Sequence, residues 1–273
     1  MIDMKYLKIH GPEVPVIGFG TWQITGDQCR SAVKSALDIG YRHIDTAQRY
    51  ENEEEVGSAI SGSGIKREEI FLVTKVWITN LRYNDVIKST KESLKKLKTG
   101  YIDLLLIHWP VSDISVDETL NAMNKLREEG IIRHIGVSNF SVEQLKEAQK
   151  HSEIFCNQVE YHPFISQEKI LRYCQQNNIM LTAYSPLARS KVNEDKTLIE
   201  IGEKYNKTTS QITLRWLIQQ KNVAAIPKAV NMIHQKENFD IFDFELDDEY
   251  MKKIFALERN EKLVNPNWLR SRN

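Results

Sequence analysis

The chain has 273 residues, with acidic and basic side chains balanced at 37 each, so it carries no electrostatic footprint for nucleic acid or for a membrane surface. Its 41% hydrophobic content can build a full core, yet no apolar run approaches the roughly 20 residues that span a bilayer. Cys29, Cys156 and Cys174 are too few and too scattered for a disulfide framework or a zinc cluster, and the opening MIDMKYLKIHG lacks a secretory pattern, so a cytoplasmic protein is expected.

In chain order, Pro12 and Pro15 mark a hairpin at the start, placed to close the bottom of a barrel. Short apolar runs then alternate with amphipathic stretches. Strand Val16–Thr21 precedes helix Ser31–Asp38, strand His43–Ala47 precedes helix Glu51–Ile60, and strand Phe71–Val76 precedes helix Asn84–Leu97. Strand Asp103–Trp109 leads to helix Asp117–Glu128, His134–Asn139 to Val142–Lys150, and Cys156–Tyr161 to Glu168–Gln176. Strand Met180–Ser185 is followed by a helix pair, Thr197–Tyr205 and Gln211–Gln219; strand Ala224–Lys228 is followed by Ile233–Asn238 and Asp248–Leu257. Starts are signalled by Asn84-Asp85, Ser115-x-Asp117 and Ser141-x-Glu143, and stops by Gly40, Gly100 and Gly130. Gly18-Phe19-Gly20 and Ser61-Gly62-Ser63-Gly64 read as turns.

Such runs suit a parallel sheet covered by helices. With no Pro/Gly/Ser-rich linker, the pattern predicts one α/β domain over 1–273. The expected fold is a (β/α)8 TIM barrel with an N-terminal β-hairpin plug and extra C-terminal helices. A doubly wound sheet is the alternative.

The stretch Gly40–Gly57, GYRHIDTAQRYENEEEVG, says most about function. Asp45 sits near the end of an apolar strand, where a carboxylate needs a partner. Tyr50 follows in the strand-to-helix loop, placed to meet a substrate. On their own, Asp45 reads as a helix cap and Tyr50 as a loop aromatic. The other strand ends change that balance. Lys75, His108, Ser138 with Asn139, Gln158, Tyr184 with Ser185, and Lys228 stand at or near successive ends, the side of a barrel where active sites lie. Period-2 alternation puts Leu104, Leu106 and His108 on one face, taken as the interior.

These segments resemble the aldo-keto reductases, closest to the prokaryotic 2,5-diketo-D-gluconate reductase-like branch. The resemblance rests on the Gly40–Gly57 stretch, TKVW at Thr74–Trp77, IHWP at Ile107–Pro110 and IGVSNF at Ile135–Phe140. NQVEYHP at Asn157–Pro163, AYSPL at Ala183–Leu187 and IPK at Ile226–Lys228 complete it. It implies NAD(P)H-dependent reduction of aldehydes or ketones to alcohols by a tetrad of Asp45, Tyr50, Lys75 and His108. Tyr50 would be the general acid, with Lys75 lowering its pKa, Asp45 pairing with Lys75, and His108 polarising the carbonyl.

The resemblance further implies that Ser138, Asn139 and Gln158 hold the nicotinamide carboxamide, that Tyr184 stacks on the ring, and that Ser185, Pro186 and Leu187 approach the pyrophosphate. By the same resemblance, Gly20, Thr21 and Trp22, with Asp45, would line that site. Ile226, Lys228, Ala229, Val230, His234, Glu237 and Asn238 complete it. NADPH-preferring relatives usually carry Ser where this chain has Ala229, and Arg where it has His234. NADPH is expected because Lys228 remains, and use of NADH stays open.

Trp22, Trp77 and Trp109 follow strand ends and are candidates, with Tyr50 and His108, for a substrate pocket. The tail Leu263–Asn273, with Asn265-Pro266-Asn267-Trp268, resembles the loops that tune specificity in the family. Aldehydes, ketoaldehydes and keto-sugars remain open as substrates. A zinc hydrolase built on His43, Asp45, His108 and His162, and a glycosidase using Asp45 and Glu160, are weaker readings. No metal is expected. A cofactor-binding regulatory subunit on the same fold is the non-catalytic alternative, and a monomer is the expected state.

Overall fold

A computed structural model describes residues 4–265. Eight parallel strands form one sheet: β3 (Phe19–Gly20), β4 (His43–Asp45), β5 (Phe71–Val76), β6 (Ile102–Ile107), β7 (Ile132–Ser138), β8 (Cys156–Glu160), β9 (Met180–Tyr184) and β10 (Val223–Ala225), neighbours in chain order. The sheet closes on itself. Ile17 bridges Ala225 in parallel, and the Gly18 N–H donates to the Ala225 carbonyl at 2.8 Å. This is the expected barrel rather than the doubly wound alternative.

Around it lie α1 (Gly26–Ile39), α2 (Glu53–Ser61), α3 (Tyr83–Leu97), α4 (Val116–Glu128), α5 (Val142–Ala148) and α6 (Glu168–Gln176). The expected pair after β9 is α7 (Lys196–Tyr205) and α8 (Thr209–Ile218), and α9 (Met232–Phe239) and α10 (Asp248–Phe255) follow β10. The hairpin β1 (Tyr6–Lys8) with β2 (Glu13–Pro15) is antiparallel, as expected.

Alternation along the strands separates two cores. Leu72, Val76, Leu105 and Ile107 face the helices. Phe71, Val73, Leu104, Leu106, Cys156, Met180 and Ala224 face the barrel axis, where Ile9 and Val14 of the hairpin segment cap them. The interior is therefore apolar at the strand starts, which pushes Lys75, His108 and Gln158 towards the other end.

Several local expectations fail for physical reasons. Gly18-Phe19-Gly20 is barrel wall, not a turn. A Cβ at Gly18 would come within 2.8 Å of the His43 ring, and one at Gly20 within 2.8 Å of the Ile226 carbonyl oxygen. The helix expected from Glu51 starts at Glu53, because Gln48–Tyr50 forms a 3-10 turn and Glu51 adopts φ 57°. Gly100 does not stop α3; Lys98 does so in the left-handed conformation. Helix α1 begins a turn earlier than expected.

Gly57 explains part of its motif. A Cβ there would lie 2.5 Å from the Leu97 carbonyl carbon and the Lys96 oxygen, main-chain atoms that cannot swing aside. Helix propensity favours Ala over Gly by about 1 kcal/mol, but overpacking costs about 1–3 kcal/mol or more. Gly57→Ala is expected to lower stability in urea unfolding; a raised midpoint would refute the close approach of α2 to the end of α3.

Candidate active site

At the C-terminal ends of the strands lies a cavity of about 250 Å³. Asp45 ends β4 and Lys75 is the penultimate residue of β5; both side chains are buried. Their Oδ1–Nζ distance is 2.5 Å. Lys75 Nζ also donates to the Thr46 carbonyl at 2.8 Å and to the Tyr50 hydroxyl oxygen at 3.4 Å. An ammonium has three donors, so these contacts account for all of them. Gln158 Nε2 donates to the other Asp45 oxygen at 2.8 Å. The carboxylate is thus held from two sides, as a buried charge requires.

Tyr50 closes the 3-10 turn and its ring borders the cavity. Since Lys75 donates to the phenol oxygen, the Tyr50 proton is left to point elsewhere. Lys75 beside it does not bring the Tyr50 pKa below its ordinary value in the resting site. Burial of the hydroxyl, reinforced by the Asp45 charge, pushes the phenol well above its usual range. Burial likewise pulls Lys75 below its ordinary value, against the opposing pull of Asp45.

His108 follows β6 and continues its ladder, its N–H donating to the Val76 carbonyl at 3.1 Å. Burial, then the Lys75 and Arg49 charges, push its imidazole well below its usual pKa, so the ring is neutral. Nδ1 is buried without a partner. The Tyr50 and Trp77 rings pack edge-on against His108 at 5.7 and 5.1 Å. The cavity side therefore meets Nε2, and a neutral tautomer protonated there leaves a bare lone pair on Nδ1.

The ends of β7 and β8 are cross-linked. Ser138 Oγ donates to the Gln158 carbonyl at 2.8 Å, and Asn139 Nδ2 donates to Ser138 Oγ at 2.9 Å and to the His108 carbonyl at 3.1 Å. The Tyr184 hydroxyl donates to Asn139 Oδ1 at 2.8 Å. Ser138, Asn139, Gln158 and Tyr184 all border the cavity, as do Gly20, Ser185, Pro186, Ile226 and Lys228. Trp22, Trp77 and Trp109 border it too.

Other expected residues stand back from this space. Thr21 is buried, with its hydroxyl on the Asp45 carbonyl at 2.9 Å, and Leu187 packs against the core. Ala229 is buried, its carbonyl accepting from Gln235 Nε2 at 2.9 Å, and Val230 is exposed. On α9, exposed His234 contacts Glu237 at 3.0 Å, and Asn238 is buried.

Two residues at this mouth were not expected there. Arg49, beside Tyr50, borders the cavity, and so does Val264 of the tail. Glu160, at the end of β8, fixes that tail: its buried carboxylate accepts from the Leu263 and Val264 N–H groups at 2.7 and 2.9 Å, and from His162 Nε2 at 3.1 Å. Residues 266–273, with the rest of the Asn265–Trp268 motif, lie outside the described residues.

These contacts leave the rival constellations unassembled. Glu160 and His162 are occupied with each other and the tail, Asp45 with Lys75, and His43 Nδ1 lies 3.2 Å from the Pro15 carbonyl of the hairpin. Among the described residues, no helix is long and apolar enough to cross a membrane.

A sequence profile of the Aldo/keto reductase family matches residues 16–259. Glyoxal reductase of Bacillus subtilis is 43% identical over 265 residues, covering 96% of this chain and 95% of its own. A crystal structure of a candidate 2,5-diketo-D-gluconic acid reductase B is 44% identical, with a TM-score of 0.95 over 97% of this chain and 95% of that one. An aldo-keto reductase of Bombyx mori in complex with NADP is 34% identical, with a TM-score of 0.93 over 99% and 98% of the two chains.

Proposed function

The chain belongs to the aldo/keto reductase family of oxidoreductases, and from that premise we propose that it reduces aldehyde, ketoaldehyde or keto-sugar carbonyls to alcohols with NADPH, Tyr50 acting as general acid. One observation carries this reading. The Lys75 ammonium donates to the Tyr50 oxygen at 3.4 Å, which leaves the phenol's own proton for a group in the cavity.

The residues at the mouth fit a nicotinamide cofactor. The linked hydroxyl and amide groups of Ser138, Asn139 and Gln158, beside the Tyr184 ring, offer the polar and aromatic chemistry that a carboxamide and its ring call for. When bound, the cofactor supplies the hydride.

The protein's own part is to hold the carbonyl and deliver a proton. Neutral His108 donates from Nε2 to the carbonyl oxygen and polarises it. Tyr50 is protonated in the resting site, as a donor must be, because burial holds its pKa high. As the oxygen gains negative charge, the phenol passes its proton to it. Lys75 then stabilises the phenolate that forms, and Asp45 keeps Lys75 in position. Trp22, Trp77 and Trp109 supply apolar walls that exclude water from the exchange. The name glyoxal reductase on a relative with 43% identity supports a small carbonyl substrate. Oxidation of NADPH and NADH followed at 340 nm across a carbonyl panel tests the proposal; no turnover on any member would reject it.

For the cofactor's phosphate, Lys228 is the cation that borders the cavity on the side of α9, Arg49 lying beside Tyr50, and His234 is turned to Glu237. A charge-assisted hydrogen bond is worth about 1.5–3 kcal/mol, or about 10–100-fold. The unchanged protein is therefore expected to favour NADPH over NADH only modestly. His234→Arg with Ala229→Ser is expected to raise the ratio of the two kcat/KM values by about tenfold or more. An unchanged ratio would remove α9 from phosphate selection.

A further inference from the structure

Arg49 is the residue the proton chemistry leaves unused. It borders the cavity beside Tyr50, and its guanidinium lies 5.7 Å from the centre of the Trp77 ring, itself a cavity wall. Its protein contact is thin. Nη1 meets Glu51 Oε1 at 3.4 Å, with the two side chains 57% and 79% exposed. A pair so exposed adds little stability, and it engages one of the five N–H donors an arginine carries. The other charges at the mouth are already assigned. Asp45 is held by Lys75 and Gln158, and Lys228 is given to the cofactor. The Arg49 charge also acts inside the site, since it is one of the causes that depress the His108 pKa.

We propose that Arg49 makes this pocket selective for carbonyl compounds that carry a carboxylate, by holding the carboxylate at the rim while the carbonyl meets Tyr50 and His108; the assignment rests on the reductase reading of the same site. The chemistry is complementary. A guanidinium fork matches the two oxygens of a carboxylate. The Trp22, Trp77 and Trp109 rings border the pocket and shield the pair from solvent on that side, which strengthens a charge contact relative to open water. The Trp77 ring, 5.7 Å from the guanidinium, holds it at the rim of the pocket while the side chain stays more than half exposed.

The test compares 4-carboxybenzaldehyde with methyl 4-formylbenzoate, whose carbonyls are alike and whose charges differ. The unchanged protein is expected to favour the acid by about tenfold in kcat/KM, chiefly through KM, with the preference shrinking as salt rises. In Arg49→Met the acid-to-ester ratio is expected to fall to near one, whatever happens to the ester alone, and Arg49→Lys is expected to keep part of it. Equal handling of acid and ester by the unchanged protein overturns the proposal, as does a ratio that survives Arg49→Met. If the ester is reduced without an acid preference, only the role of Arg49 fails. If neither compound is reduced and the wider carbonyl panel is also inert, the reductase reading fails and takes this one with it.

Discussion

Tyr50→Phe is expected to lower kcat by about 10²–10⁴-fold, the range that general acid catalysis contributes. Nicotinamide binding, followed by quenching of tryptophan fluorescence, should stay close to that of the unchanged protein. The substitution removes one oxygen. The ring still borders the cavity and packs 5.7 Å from His108, so the shape of the pocket is kept. What goes is the acidic proton, together with the oxygen to which Lys75 donates. Near-unchanged turnover would mean that the proton comes from water or from His108. His108 is a poor substitute, because burial keeps it neutral.

Lys75→Met should damage both stability and activity, and the two can be separated. Both members of the Asp45–Lys75 pair are buried. Removing one partner leaves the other's charge stranded, which costs about 3–5 kcal/mol. Urea unfolding should show that loss. Combining Lys75→Met with Asp45→Asn removes both charges. Most of the stability is then expected to return while turnover stays low, because nothing remains to stabilise a Tyr50 phenolate. If the double variant is active, the pair is structural and its place in the reaction is wrong. If it is no more stable than Lys75→Met, the stranded charge is not what destabilises the single variant.

The barrel, and the gathering of the candidate residues at the C-terminal ends of its strands, were legible because they follow from regular alternation. Phe71, Val73 and Lys75 share a face by period two, as do Leu104, Leu106 and His108. A polar residue that ends such a series must point into the mouth. Residues governed by irregular backbone were harder to read. Arg49 borders the cavity because Gln48–Tyr50 forms a 3-10 turn, and the sequence read that segment as the approach to a longer helix. Gly100 drew attention as a helix stop, although Lys98 takes the left-handed conformation that ends α3. Glu160 was weighed only as a facing carboxylate. Its actual partners include main-chain N–H groups 103 and 104 residues away, and no side-chain pattern announces those. The Tyr50 pKa rises because burial of the hydroxyl, with the Asp45 charge, disfavours the phenolate in the resting site.

The grip of Glu160 on the tail bears on how this pocket can change. The carboxylate holds Leu263 and Val264 by their peptide N–H groups, which every residue except proline possesses. The fastening therefore does not depend on which side chains the segment carries, while Val264 faces the cavity. The barrel supplies a fixed socket, and the segment plugged into it is an exchangeable part. Libraries that vary position 264 and leave Glu160 and His162 alone should reshape substrate choice while the wall stays seated, and a proline at 263 or 264 is the substitution to leave out.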